Sequence, residues 1–135
     1  MVLTGVIEKF DSSKHTWNTC AIGTADKYIC RIDGKPWFGS DLGYELPRNE
    51  LTRLTIKIRK IEIPLNATRI FNPVNGNELR NEQFKLKKQG SGYILYSFFS
   101  DGAGSYTVYW KINDGKSSRI KFSNDERYFQ WQFDK

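Results

Sequence analysis

The chain has 135 residues, of which 15% are aromatic and 27% are charged, and its formal net charge is +6. This aromatic content excludes a disordered chain, and the absence of an apolar run of about 20 residues excludes a membrane-spanning helix. The length fits one domain, residues 1–135. A basic surface suits nucleic acid, anionic lipid or an acidic protein, but a charge of this size is also ordinary for a small domain.

The first segment, MVLTGVIEKF, does not have the pattern of a signal peptide, because its apolar run is too short and Glu8 interrupts it. We expect either a protein that stays in the cytosol or a chain from which a signal was removed. The next segment, DSSKHTWN, contains His15, which is the one histidine of the chain. We interpret His15 as part of a solvated turn. The polar residues around it are adjacent in sequence, whereas the members of a catalytic triad usually come from distant segments.

Cys20 and Cys30, the two cysteines of the chain, flank a segment with a predicted turn at residues 23–26. A hairpin there would bring them within disulfide distance if they faced each other at non-hydrogen-bonded positions. We therefore expect a disulfide rather than two free buried thiols. A disulfide favours a periplasmic or secreted location over a cytoplasmic one. Two cysteines and one histidine do not make a structural zinc site, and no metal site is predicted.

The segment PWFGSDLGYELP, residues 36–47, places aromatic side chains among glycines and prolines and lacks the alternation of a strand. Its prolines restrict the backbone, and its glycines permit sharp bends. A rigid loop with large side chains is suited to binding a partner, because little entropy is left to lose. The predicted partner-binding residues are Trp37, Phe38, Asp41 and Tyr44. The alternative is that Trp37 plugs one end of the domain.

The helical candidate of the chain is DLGYELPRNELTRL, in which Pro47 suits a first helical position and Asn49–Leu54 could form one or two helical turns. The following strand pattern, RLTIKIR, directs its apolar residues to one side. That pattern changes phase before Ile61, so we expect a tight turn or a bulge at Arg59–Lys60.

The second half of the chain predicts a meander of four hairpins that ends in a strand, RYFQWQF. Asp114–Gly115 favours a type I′ turn, since that turn needs positive φ at both residues. Gly102–Gly104 lacks the Lys-Ser/Thr pair of a phosphate-binding loop and is followed by a strand pattern, so we interpret it as a hairpin loop. The strand YILYSFF is apolar on both faces, and we expect it to be covered on both. The fold class is therefore all-β, an antiparallel sandwich or barrel of about nine to eleven short strands with at most one short helix.

Cations lie on the outer faces of several predicted strands: Arg53, Lys57, Arg59, Lys85 and Lys87. If those strands were neighbours, they would form a basic face interleaved with aromatic residues, which suits single-stranded nucleic acid. Lysines on outer faces also protect sheets from aggregation, and we favour this second interpretation.

No catalytic constellation or cofactor motif is apparent, so we predict a protein that binds and does not catalyse, without a cofactor. By elimination, the leading hypothesis is a small protein-binding inhibitor or immunity-type module, bacterial and exported, whose partner is another protein such as a toxin or an enzyme. One alternative is a nucleic-acid-binding β-barrel that uses the basic face. A second alternative is a carbohydrate-binding module with Trp17, Trp37 or Tyr44 as stacking platforms.

Overall fold

The structure is a computed structural model that describes residues 1–21, 23, 26–100 and 102–133. These residues form nine β-strands and four 3₁₀ segments and contain no α-helix, so the all-β prediction is confirmed. The strands are β1 (Val2–Lys9), β2 (Trp17–Cys20), β3 (Tyr28–Ile32), β4 (Asn49–Ile58), β5 (Ile61–Leu65), β6 (Phe84–Gln89), β7 (Gly92–Phe99), β8 (Tyr106–Asn113) and β9 (Lys116–Ser123). The 3₁₀ segments are Ser12–Lys14, Asn81–Gln83, Gly102–Gly104 and Glu126–Phe133.

Three antiparallel sheets result, with strand orders β1-β4-β5, β2-β3 and β6-β7-β8-β9. The three-stranded and four-stranded sheets pack face to face as a sandwich, because each buries its alternating apolar side chains against the other. We call the buried residues between them the main core: Leu51, Leu54, Ile56, Ile63, Leu65, Ala67, Ile70, Phe84, Leu95, Phe99, Tyr106, Val108, Trp110 and Ile112. On one side of the sandwich, β5 lies beside β9, where the Ser117 hydroxyl donates to the Pro64 carbonyl at 2.6 Å.

Three predicted turns are confirmed, whereas the turn predicted at residues 23–26 lies partly outside the described residues. Ile58 pairs directly with Ile61, so Arg59 and Lys60 form the tight turn that restores the apolar phase of β5. Asp114 and Gly115 both have positive φ, 53° and 73°, as the type I′ interpretation requires. Gly102–Gly104 connects the antiparallel pair β7 and β8, as expected of a hairpin loop. The neighbouring Asp101 lies outside the described residues.

The predicted helical turns at Asn49–Leu54 are wrong, since Asn49 is the first residue of β4. Val6 of β1 pairs with Arg53 and Ile7 pairs with Leu51, which leaves Thr52 as an extra residue in the ladder. This bulge lets Leu51 and Leu54, three positions apart, both enter the main core. A β-bulge therefore produced the spacing that is typical of a helix.

The predicted C-terminal strand is also wrong, because Glu126–Phe133 is a 3₁₀ segment and the meander has one hairpin fewer. Phe129 packs edge-on against Phe98, with ring centroids 5.0 Å apart, and Trp131 stacks on Tyr96 at 5.7 Å. This segment covers the outer face of β7, whose inner face lines the main core. The expectation that YILYSFF is covered on both faces is confirmed.

A second, smaller group of buried residues lies beside the sandwich, and we call it the satellite cluster: Phe10, Ile29, Ile32 and Phe71, with Trp37 and Leu46 packed against them. The hairpin β2–β3 forms one wall of this cluster, and Cys20 and Cys30 are joined by a disulfide with Cα atoms 5.8 Å apart. The disulfide prediction is confirmed, but the two residues are not directly opposite. Cys20 pairs with Tyr28, and Cys30 is the extra residue of a bulge.

Candidate functional site

Two large apolar side chains extend into solvent from the loop at residues 36–47. Leu42 is 61% exposed and Tyr44 is 56% exposed. Asp41, beside them, is exposed as well. Of the predicted binding residues, Asp41 and Tyr44 are therefore accessible to a partner. Leu42 was missed, because a single leucine in a glycine-rich segment gives no pattern that distinguishes a surface position from a core one.

The backbone of this loop is held by one hydrogen bond to β3 and by another within the loop. The Gly43 carbonyl accepts from the Ile29 amide at 2.7 Å, and the Gly43 amide donates to the Ser40 hydroxyl at 2.9 Å. Gly39 has a φ of +113°, and a side chain there would place its Cβ only 2.5 Å from the Phe71 carbonyl oxygen. The loop is fixed at its bends, as the glycines and prolines predicted.

Trp37 and Phe38 are half-buried and anchor the loop rather than project from it. The Trp37 indole N–H donates to the Ile29 carbonyl at 2.9 Å, and the indole packs edge-on against Phe71. Phe38 turns the other way, into the main core, and stacks on Phe122 with centroids 5.2 Å apart. The four predicted binding residues thus divide into two that face solvent and two that hold the loop in place.

The predicted basic residues do not form one face, which corrects the stripe that the strand pattern suggested. Arg53 and Lys57 belong to β4 in the three-stranded sheet, whereas Lys85 and Lys87 belong to β6 in the four-stranded sheet. The outer faces of two packed sheets point away from each other. Lys57 pairs with Glu62 across the β4–β5 ladder, and Lys87 lies 5.9 Å from the Tyr96 ring. Arg59 is in the tight turn between β4 and β5.

His15 lies between two carboxylates that the sequence did not associate with it. Its Nδ1 is 2.6 Å from Asp33 Oδ2, and its Nε2 is 3.2 Å from Glu50 Oε1. The ring stacks on Phe10 with centroids 4.6 Å apart and meets Phe71 edge-on at 5.9 Å. The imidazole is 15% exposed, so the interpretation of His15 as a solvated turn is wrong. We call Asp33, His15 and Glu50 the His15 network.

This arrangement favours the imidazolium form of His15. A neutral imidazole has one N–H and one lone pair, whereas here both ring nitrogens face carboxylate oxygens. Burial alone would lower the pKa of His15, but the hydrogen bonds and charges of Asp33 and Glu50 outweigh it and raise the pKa above its ordinary 6.5. Burial of Asp33 is likewise outweighed, and its bonds from His15 and the Thr16 amide lower its pKa below 3.8.

Arg69 fixes the turn that carries Asp33. Its guanidinium donates to the Ile32 carbonyl at 2.8 Å, the Pro36 carbonyl at 2.6 Å and the Lys35 carbonyl at 3.2 Å. Burial lowers the pKa of Arg69, while the charge of Asp33 acts in the opposite direction. Arg69 adopts a φ of +67°, which is uncommon for a residue other than glycine. The segment after β5 is thus held against the start of the 36–47 loop.

The His15 network lines a cleft of about 560 Å³ between the satellite cluster and β4. Both nitrogens of His15 are engaged, so the ring as it stands cross-links two carboxylates and presents no free lone pair to a substrate. The carboxylates lie on opposite sides of the ring and do not converge. Within the part of the chain that the structure describes, no three His, Cys, Asp or Glu side chains are grouped to hold a metal ion.

Comparison of the chain with protein-family models, with curated proteins and with solved structures found no significant match. Among the described residues, no helix has the length and apolar character needed to cross a membrane. The loop at residues 36–47 and the His15 network are the features of the described residues that bear on function.

Proposed function

We propose that the protein is a non-catalytic binding module of the inhibitor or immunity type, which presents Leu42 and Tyr44 to a protein partner. The observation that supports this proposal is the exposure of two large apolar side chains on a loop whose backbone is fixed. Burial of one such side chain in an interface is worth roughly 1.5–3 kcal/mol. A pre-organised loop retains more of that energy, since less entropy is lost on binding.

The charge of the loop suggests the character of the partner surface. Residues 36–47 contain Asp41 and Glu45 and no lysine or arginine, although the chain as a whole carries +6. An apolar pocket with a cationic rim would complement Leu42 and Tyr44 together with these two carboxylates. An enzyme or toxin that acts on an anionic substrate has such a rim. The Cys20–Cys30 disulfide fits a periplasmic or secreted location for this encounter.

The alternatives have less support. Nucleic-acid binding needs cations along one groove, whereas Arg53 and Lys57 belong to one sheet and Lys85 and Lys87 to the other. Carbohydrate binding needs exposed aromatic faces. Trp37 is unsuited to that role because its indole packs against Phe71 and its N–H is already bonded. Trp17, 41% exposed on β2, remains available as a stacking surface.

Site-specific cross-linking tests the proposed surface directly. A photoreactive phenylalanine analogue replaces Tyr44 in one variant and Ile120, 50% exposed on β9, in the matched control. After irradiation in the cells that produce the protein, we expect one discrete adduct from position 44 and none from position 120. Mass spectrometry then identifies the partner. Equal adducts from both positions would contradict the proposal.

Calorimetry with the purified partner provides the quantitative test. Leu42→Ala combined with Tyr44→Ala should weaken binding by about 100-fold or more, as expected of two central contact residues. Ile120→Ala should leave the affinity unchanged. An unchanged affinity in the double variant would place the interface elsewhere.

A further inference from the structure

We infer that the His15 network is a pH-controlled latch: protonated His15 ties the β2–β3 hairpin and the turn at Asp33 to β4, and loss of its proton releases them and loosens the loop at residues 36–47. The consequence for partner binding rests on the proposed function of that loop. The latch itself concerns the free protein and can be tested without a partner.

Three separate segments meet at the imidazole. His15 follows the 3₁₀ segment Ser12–Lys14, Asp33 lies in the turn after β3, and Glu50 lies in β4. The first two segments are also bonded to each other, since the Thr16 amide donates to Asp33 Oδ1 at 2.9 Å and the Asp33 amide donates to the Thr16 carbonyl at 2.8 Å. The bond between His15 and Glu50 connects this pair of segments to β4, while Arg69 holds the turn at Asp33 from the segment after β5.

Loss of one proton breaks that bond in particular. The Nδ1 contact with Asp33 is the shorter of the two, 2.6 Å against 3.2 Å, so the remaining proton stays on Nδ1. The lone pair on Nε2 then faces the carboxylate of Glu50, and neither atom has a proton to donate. Glu50 is held in β4 by pairing with β1, whereas the Asp33 side chain is 40% exposed. The His15 ring and the Asp33 side chain are accordingly the groups that move away from Glu50 first.

Other charged groups face the network but do not share this titration range. Asp11 lies in the same segment as His15, Arg69 faces Asp33 from the segment after β5, and Arg53 lines the same cleft from β4. Carboxylate and guanidinium groups ordinarily keep their charge near neutral pH, and histidine is the side chain that changes charge between about pH 5 and 8. The charge of the network between those limits is thus set by His15.

The released segments are continuous with the exposed loop. The turn at Asp33 leads directly into residues 36–47, and the Ile29 amide of β3 is bonded to the Gly43 carbonyl. Opening of the hairpin removes this support for the backbone beside Leu42 and Tyr44. The pKa of His15 should be higher in the closed state than in the open state. For each unit of this pKa difference, the equilibrium constant for opening should rise about tenfold when His15 loses its proton.

Nuclear magnetic resonance of the free protein, without a histidine tag, gives the first test. His15 is the one histidine of the chain, so its ring signals report one group. We expect a midpoint above 6.5 and a fall in the amide protection factors of Ile29 and Gly43 through that midpoint. Protection of Val108 in the main core should stay constant. A midpoint at or below 6.5, or constant protection of Ile29 and Gly43, would overturn the latch.

The substitution Glu50→Gln gives the second test. Its amide can donate to Nε2, so neutral His15 is satisfied on both sides and the closed state no longer needs a proton. We expect the pH dependence of Ile29 and Gly43 protection to disappear, whereas the control Glu62→Gln, on the outer face of β5, should retain it. If Glu50→Gln does not fold, Asp33→Asn makes the same test, because asparagine tolerates the φ of 54° at this turn. Full pH dependence in the folded variant would overturn the latch.

Affinity measured at pH 6 and pH 8.5 separates the latch from the proposed binding surface. If binding is weaker at pH 8.5 than at pH 6, and Glu50→Gln removes this difference, both the latch and the proposed binding surface are supported. A pH-dependent loss of protection with constant affinity supports the latch and moves the interface away from residues 36–47. If Leu42→Ala and Tyr44→Ala both bind the partner as tightly as the wild type, the proposed function is contradicted. The amide protection factors then still test the latch independently.

Discussion

The main core and the satellite cluster are stabilised in different ways. The main core, as the structure describes it, contains fourteen buried apolar residues supplied chiefly by facing strands. The satellite cluster contains four buried apolar residues, which belong to loops and to the two-stranded hairpin. It is held in addition by a disulfide, by the His15 network and by the hydrogen bonds of Arg69 to three carbonyls. Hydrophobic burial dominates the first region, and specific polar or covalent links carry much of the second.

This difference bears on the proposed binding surface. Hydrophobic burial responds weakly to pH and redox conditions, whereas an imidazolium–carboxylate bond and a disulfide respond directly to them. The exposed Leu42 and Tyr44 lie on the loop over the satellite cluster, so they sit on the region that conditions can alter. The two regions are joined where the Tyr106 hydroxyl, inside the main core, donates to the Phe71 carbonyl at 2.7 Å. Because the satellite cluster has its own buried residues and its own links, we expect it to open locally while the sandwich stays folded.

The largest effect is expected from removal of a ring in the main core. Trp110 is fully buried, and its indole N–H donates to the Asn66 carbonyl at 3.0 Å. Trp110→Ala should lower the free energy of unfolding by about 3–5 kcal/mol, since it leaves a large cavity. Trp37→Ala, the matched change in the satellite cluster, should cost less because Trp37 is half-buried. Urea unfolding of both variants measures the difference, and equal costs would contradict the distinction between the regions.

Loss of the disulfide should have the next largest effect. The bond closes a loop across a sequence separation of 10 residues, which is worth about 2–3 kcal/mol on the chain-entropy model. Cys20→Ser combined with Cys30→Ser should reduce amide protection in β3 and leave that of β8 unchanged. Native-state hydrogen exchange makes this measurement. An equal loss of protection in both strands would show that the satellite cluster and the sandwich unfold as one unit.

The two regions also differ in how far the sequence predicted them. Alternation in β4 to β9 identified most strands and the residues of the main core, because a strand with one buried face imposes a period of two. The prediction failed at Asn49–Leu54, where Pro47 suggested a helix start but β4 begins, and at residues 126–133, whose aromatic side chains cover a sheet instead of joining it. Loop glycines and prolines identified the exposed loop. The His15 network was not predictable, since its members lie 18 and 35 residues apart along the chain.

A smaller effect is expected from pH. The pKa of His15 is raised in the folded protein, so its contribution to stability is fully present below about pH 6.5, the unfolded value. That contribution is lost as pH rises through the higher folded value. The melting temperature of the protein should therefore fall over this range, and in His15→Gln it should be insensitive to pH there. If the melting temperature of the wild type rises over the same pH range, the pKa of His15 is not raised in the folded protein.

The smallest effect on stability should come from the two residues proposed to contact a partner. Leu42 and Tyr44 are mostly exposed, and neither belongs to the buried residues of the main core or the satellite cluster. Leu42→Ala combined with Tyr44→Ala should change the free energy of unfolding by no more than about 0.5 kcal/mol, as for surface substitutions in general. Calorimetric melting of the variant beside Trp37→Ala measures this contrast. If the double variant is destabilised as much as Trp37→Ala, these side chains cover the satellite cluster in solution, and their role is to protect the region rather than to present it to a partner.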